Sequence, residues 1–253
     1  MVARRHGRMD TLPALLALLP LLAAHAFAGR LKALDVRPRS RWLSAAGGVS
    51  VAYVFVHILP ELAAVEAHLA DATPDHLPVG ELAVYTVALA GLTGFYGLER
   101  LIIAHRPGPR DADRPEAPPP GIFALHLGSF ALYNVLIGYL LLHREQPGLW
   151  SLALYAAAMT LHLVVVDRGL ATHHGRAYRR TGRWVLVTAL AAGFGVGLAV
   201  DVSEAVLAAF FALLAGATIL NVMKEELPDE QASRFGPFLI GAAGFAALLM
   251  AAA

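Results

Sequence analysis

The residues of this chain that can move protons or hold cations are its 11 histidines and 19 Asp and Glu side chains. Several lie inside long apolar stretches, where an ionisable or imidazole group is costly and its position is therefore informative. His57 and Glu61 are four residues apart and share one face of a helix. Such a pair can bind one metal ion. It can equally leave Glu61 at an interface and His57 hydrogen-bonded to a neighbouring helix. His126, Ser129 and Tyr133 follow one another at spacings of three and four and form one stripe, with Asn134 about 100° to its side. A further stretch carries Thr160, His162 and, near its end, Asp167. Inward-facing imidazole and amide groups on adjacent helices are how bundles build metal sites; the same groups also hold helices together by hydrogen bonds. His25 is alone in its stretch and reads as structural, while His173 and His174 stand among arginines and read as solvated. There is no cysteine, so disulfides, thiolate ligands and thiol catalysis are excluded. No H-E-x-x-H occurs, and the chain does not read as an enzyme or as the holder of an organic cofactor.

These residues must be positioned by helices that cross a bilayer. Of 253 residues, 57% are hydrophobic and 15% charged, against about 25% charged in soluble domains. That composition excludes a soluble globule, a disordered chain and a nucleic-acid binder. Apolar segments run over residues 11–29, 42–65, 80–104, 121–142, 149–166, 184–200, 204–223 and 235–253, each long enough to cross about 30 Å of hydrocarbon. The expected fold is therefore an all-α polytopic membrane bundle of about eight transmembrane helices in one domain. The first segment follows Arg4, Arg5 and Arg8 and has some features of a signal peptide; the basic residues directly after it favour a retained span. Its removal would leave seven.

Sixteen of the 20 Lys and Arg fall in the first, third, fifth and seventh connections. The positive-inside rule then puts those connections in the cytoplasm and both termini outside it, as expected for a bacterial inner (plasma) membrane. Residues 105–120, with their prolines and mixed charges, read as a mobile cytoplasmic loop between the third and fourth spans.

The second and seventh spans resemble each other. With Gly48 laid on Gly216, Tyr53 falls on Asn221, His57 on Glu225, Pro60 on Pro228 and Glu61 on Asp229. Similar helices running in opposite directions mark an inverted repeat, with spans one to three paired to six to eight and spans four and five left as a central pair.

This layout, with the HILPEL of span two, the GLERL at Gly97–Leu101 and the AGATILNVMKEELPDE of span seven, resembles the ZIP divalent-metal transporters over nearly the whole chain. The resemblance implies a 3+2+3 inverted repeat around a central metal site supplied by H-N-x-x-D/E-G in span four and H-E-x-P-H-E in span five. Here span four reads Tyr133–Asn134–Val135–Leu136–Ile137–Gly138 and span five His162–Leu163–Val164–Val165–Val166–Asp167. Carried over residue by residue, Asn134, His162 and Asp167 remain as ligands. The positions of the first acid in each motif, of the proline and of two histidines hold Ile137, Leu163, Val165, Val166 and Tyr133. His126, one heptad before Tyr133, is a partial replacement.

The resemblance implies a transporter of Zn²⁺ or another divalent cation, taken as substrate, with a degraded central site. His162, Asn134 and Asp167 are its expected ligands and His57 with Glu61 an outer relay. The alternative is a ZIP-like protein that does not transport and serves a regulatory or partner-binding role. The expected partners are the lipid bilayer and a divalent metal ion, with no nucleic acid; a homodimer is among the assemblies the layout allows.

Overall fold

A computed structural model describes residues 11–27, 41–72, 82–104, 120–143, 148–226 and 234–252. The regular structure among these residues is helical, without strands. We number eight helices: α1, Thr11–Ala26; α2, Arg41–Tyr53 continuing through a π turn at Val54–Ile58 into Leu59–Ala72; α3, Ala83–Ala104; α4, Pro120–Leu140; α5, Leu149–Ala177; α6, Arg183–Ala199; α7, Glu204–Asn221 with a terminal π turn at Val222–Glu226; and α8, Phe235–Ala252. Five stretches are long and apolar enough to cross a membrane: Arg41–Ala67, Phe123–Leu140, Leu149–Thr172, His174–Ala199 and Glu204–Lys224. Thr11–Ala26 and Phe235–Ala251 are shorter apolar helices. The loop expected at 105–120 lies outside the described residues, apart from Pro120, which opens α4.

Two helix ends lie well beyond the sequence reading: α2 runs to Ala72 rather than to residue 65, and α5 runs past residue 166. The fifth span does not stop at residue 166; α5 continues to Ala177. Asp167, which would ordinarily mark the approach to water, is fully buried and engaged by a partner described below, so the helix has no reason to end there. The break comes at Gly175, whose φ of 51° and ψ of −118° suit a residue without a Cβ. A π turn at Tyr178–Gly182 then leads into α6.

Helices associate mainly as α2 with α8, α3 with α7, α4 with α6 and α1 with α5. Glycines set the first three contacts, because a missing Cβ lets one backbone lie directly on another. A Cβ on Gly48 of α2 would overlap the carbonyl oxygen of Phe238 in α8, and one on Gly241 of α8 that of Ala45 in α2. Gly216 of α7 rests in the same way on Ala88 of α3, and Gly91 of α3 on Leu213 of α7. Gly138 of α4 meets Leu190 of α6, and Gly193 of α6 meets Val135 of α4. The small-residue series Gly193, Gly195, Gly197 is thus divided: the first and last face α4, while Gly195 has open space where a Cβ would stand.

Polar side chains fasten the ends. Glu66 of α2 accepts the Val84 N–H at 2.9 Å, satisfying a donor that the first turn of α3 leaves without an intrahelical partner. The Tyr139 hydroxyl donates to Val200 O and accepts from Val202 N, both at 3.2 Å, which ties the end of α4 to the turn between α6 and α7.

Candidate functional site

The polar residues singled out in α4 and α5 meet in the interior, and they meet around a residue from α1. His25, in the last turn of α1, is fully buried. Its Nδ1 lies 2.9 and 3.0 Å from the two carboxylate oxygens of Asp167, and its Nε2 lies 2.7 Å from Asn134 Oδ1. The Asn134 amide is oriented by its own Nδ2, which donates to Phe130 O at 2.8 Å. Both ring nitrogens of His25 therefore face acceptors. An imidazole that donates through both nitrogens carries a hydrogen on each and is positive, a state in which His25 would neutralise the Asp167 carboxylate. The Tyr178 hydroxyl donates a further hydrogen bond to Asp167 Oδ1. Asp167, Asn134 and His25 are all completely withdrawn from solvent, as a charge pair in such a place requires saturated hydrogen bonding.

His162 is also buried, in a separate set of bonds. Its Nε2 lies 2.9 Å from the Tyr133 hydroxyl, which lies 2.8 Å from Thr218 Oγ1 of α7. Thr218 donates its hydrogen to Leu214 O at 2.8 Å, so Tyr133 donates to Thr218 and the imidazole Nε2–H donates to Tyr133. Tyr133 of α4 thus bonds to His162 of α5. Ile137 and Leu163 are fully buried, and Val165 and Val166 are 2% and 3% exposed. These four positions of α4 and α5 carry buried hydrocarbon.

His126 of α4 is buried and lies 2.7 Å, through Nδ1, from Nε2 of His174 in α5. His174 was expected in solvent; it is 6% exposed, because α5 runs two turns beyond the expected boundary and carries it alongside α4. His57 stands in the π turn of α2 with its ring 4.9 Å from that of Tyr53. His57 and Glu61 line one cavity of about 560 Å³, counted to its open mouth, which reaches inward to Thr218. A second cavity, of about 270 Å³, is bordered by His126, Phe130, Asn221 and the ion-paired Lys224 and Glu99. Phe130 packs edge-on against His126 and Tyr133 at centroid distances of 5.1 and 6.2 Å.

The six candidate ligands are therefore dispersed over four settings: Asn134 with Asp167 on His25, His162 on Tyr133, His126 on His174, and His57 beside Glu61. Among the described residues no three His, Asp or Glu side chains gather as a metal site would need. His25 is the residue that the sequence reading undervalued. A lone histidine in an otherwise apolar helix must find a partner, and Asp167, at the end of another apolar stretch, was the available signal. No protein-family model matches the chain, and a search of curated proteins finds no match.

Proposed function

We propose that this chain is a ZIP-like integral membrane protein in which an internal cation, His25, takes the place that a metal would hold between Asn134 and Asp167. In this reading the protein does not carry zinc through its centre and acts in a regulatory or partner-binding capacity. The observation that carries the reading is the double engagement of His25, with Asp167 on one nitrogen and Asn134 on the other. A zinc ion needs ligands at about 2.0–2.2 Å with free lone pairs. Asp167 and Asn134 are already engaged by the His25 imidazole, and the His162 Nε2 carries a hydrogen.

The ZIP-like layout is supported by the register of the two halves. When Gly48 is laid on Gly216, the π turn at Val54–Ile58 falls on the π turn at Val222–Glu226. The glycine contacts correspond as well: Gly48 on Phe238 and Ala242 matches Gly216 on Ala88 and Leu92, and Gly241 on Ala45 matches Gly91 on Leu213. The helix pairs exchange accordingly, α2–α8 with α3–α7 and α4–α6 with α1–α5. An inverted repeat of three helices around a central pair has this pattern.

A second reading, movement of a divalent cation, is favoured by one observation: His57 and Glu61 both border the larger cavity, which extends to Thr218. Zinc content of the purified chain and zinc uptake into reconstituted vesicles separate the two. The first reading expects neither bound zinc in proportion to protein nor uptake above empty vesicles. Uptake that disappears in His162→Ala would establish the second.

A further inference from the structure

From the exposed face of the turn between α5 and α6, we infer that this protein holds an anionic phospholipid there, with the headgroup phosphate on Arg176 and Arg180. The inference rests on the reading that these helices cross a membrane. Between Asp167 and Asp201 the chain has five arginines and no acid. Arg168 stays on α5; the other four surround the π turn, with Arg176 and Arg180 exposed and Arg179 and Arg183 half-buried. No carboxylate among the described residues pairs with Arg176, Arg179 or Arg180. This is therefore concentrated positive charge without internal compensation, unlike His25 or Lys224.

What lies below that charge along α6 points to a lipid rather than to a free ion. Trp184 follows Arg180 by four residues and is 49% exposed, with the Arg183 guanidinium 5.0 Å from its ring centre. Arg183 is itself fixed by donating to Ala26 O at the end of α1, at 3.0 Å. Beyond Trp184 comes exposed Thr188, whose hydroxyl is turned back onto Trp184 O, and the exposed residues then become small or apolar: Ala191, Ala192, Gly195, Val196 and Leu198. Gly195 faces open space, so no side chain stands out from the helix at that position. The order from end to centre is guanidinium, indole, then a smooth apolar track. It matches phosphate, ester region and acyl chain, since arginines attract anionic headgroups and tryptophan settles at the interface between headgroup and hydrocarbon. Arg180 and Arg176 precede Trp184 by about one and two turns along the continuous helical stretch His174–Ala199, after the kink at Gly175.

The test uses the full chain purified in a neutral detergent and offered phosphatidylglycerol or phosphatidylcholine, with retained lipid read by native mass spectrometry. Wild type should retain phosphatidylglycerol in preference. Each arginine contributes about fivefold to attraction of anionic lipid, so Arg176→Gln with Arg180→Gln should lower that preference roughly 25-fold, while Arg176→Lys with Arg180→Lys should keep most of it. Millimolar inorganic phosphate should displace little of the lipid. Equal retention of the two lipids, or an unchanged preference in the double Gln variant, would overturn the inference. Complete displacement by inorganic phosphate would make this a free-anion site, and displacement by a polyglutamate chain a surface for an acidic protein. Recovery of the chain in the soluble fraction would instead overturn the membrane reading on which the inference stands.

Discussion

His25 joins two buried groups, Asp167 on one ring nitrogen and Asn134 on the other. Breaking a buried ion pair by removing one partner costs about 3–5 kcal/mol, since the other charge is left without compensation. His25→Ala should destabilise the protein by that order, seen as a lower thermal midpoint in detergent. Adding Asp167→Asn removes the stranded charge, so the double variant should melt above the His25→Ala single variant. Additive losses would show that the pair is not the interaction that matters. The substitution of hydrocarbon for ligands gives a second expectation at this scale. Ile137→Asp, Leu163→Glu and Val166→His together restore the acids and the imidazole of the ZIP motif. In a His25→Ala background they should confer zinc binding that wild type lacks. No gain in bound zinc would mean that the residue-by-residue correspondence in α4 and α5 is wrong.

At the scale of elements, the bundle is registered by reciprocal glycines, two at each of three crossings. Over-packing a tight contact costs about 1–3 kcal/mol, and at Gly216 the obstacle is the backbone carbonyl of Ala88, which cannot rotate away. Gly216→Ala should therefore lower stability by that amount or more. Gly94, on the same α3 but with nothing near its Cβ direction, should accept alanine with no loss, and helix propensity favours alanine over glycine by about 1 kcal/mol. Thermal unfolding of the two variants in one detergent makes the comparison, and equal behaviour would contradict the packing account. The helices themselves were legible in the sequence, since length and apolarity define most of the segments within a few residues. The end of α5 was not legible. A sequence shows Asp167 as a charge near a boundary; only the approach of α1 shows that the charge has a buried partner and that the helix continues past it. His174 was misplaced for the same reason. The Gly48 and Gly216 correspondence was visible as spacing alone, and the π turns that fall at matching positions leave no mark in residue type.

For the whole molecule, the charge distribution and the arrangement of helix pairs make one joint expectation. Sixteen of the 20 Lys and Arg fall in alternate connections, so by the positive-inside rule reporter fusions at Pro107 and Ala177 should report cytoplasm and a fusion after Ala253 the opposite side. A cytoplasmic reporter signal from the Ala253 fusion would contradict the eight-span layout. The candidate site was legible in part at this scale. Asn134, His162 and Asp167 were found from type and position, but their partners, His25, Tyr133 and Thr218, come from three other helices, and a pairing between helices has no local periodicity to reveal it. An internal cation in place of zinc is the proposal on which the molecule's function turns. Its most direct test is the ¹⁵N spectrum of the imidazole of His25 at neutral pH, in protein labelled at histidine, with and without zinc. The account predicts hydrogen on both ring nitrogens, hydrogen-bonded to carboxylate and amide oxygen, and a spectrum that added zinc does not change. A neutral His25, with zinc shifting the signals of His25 and His162 together, would contradict it.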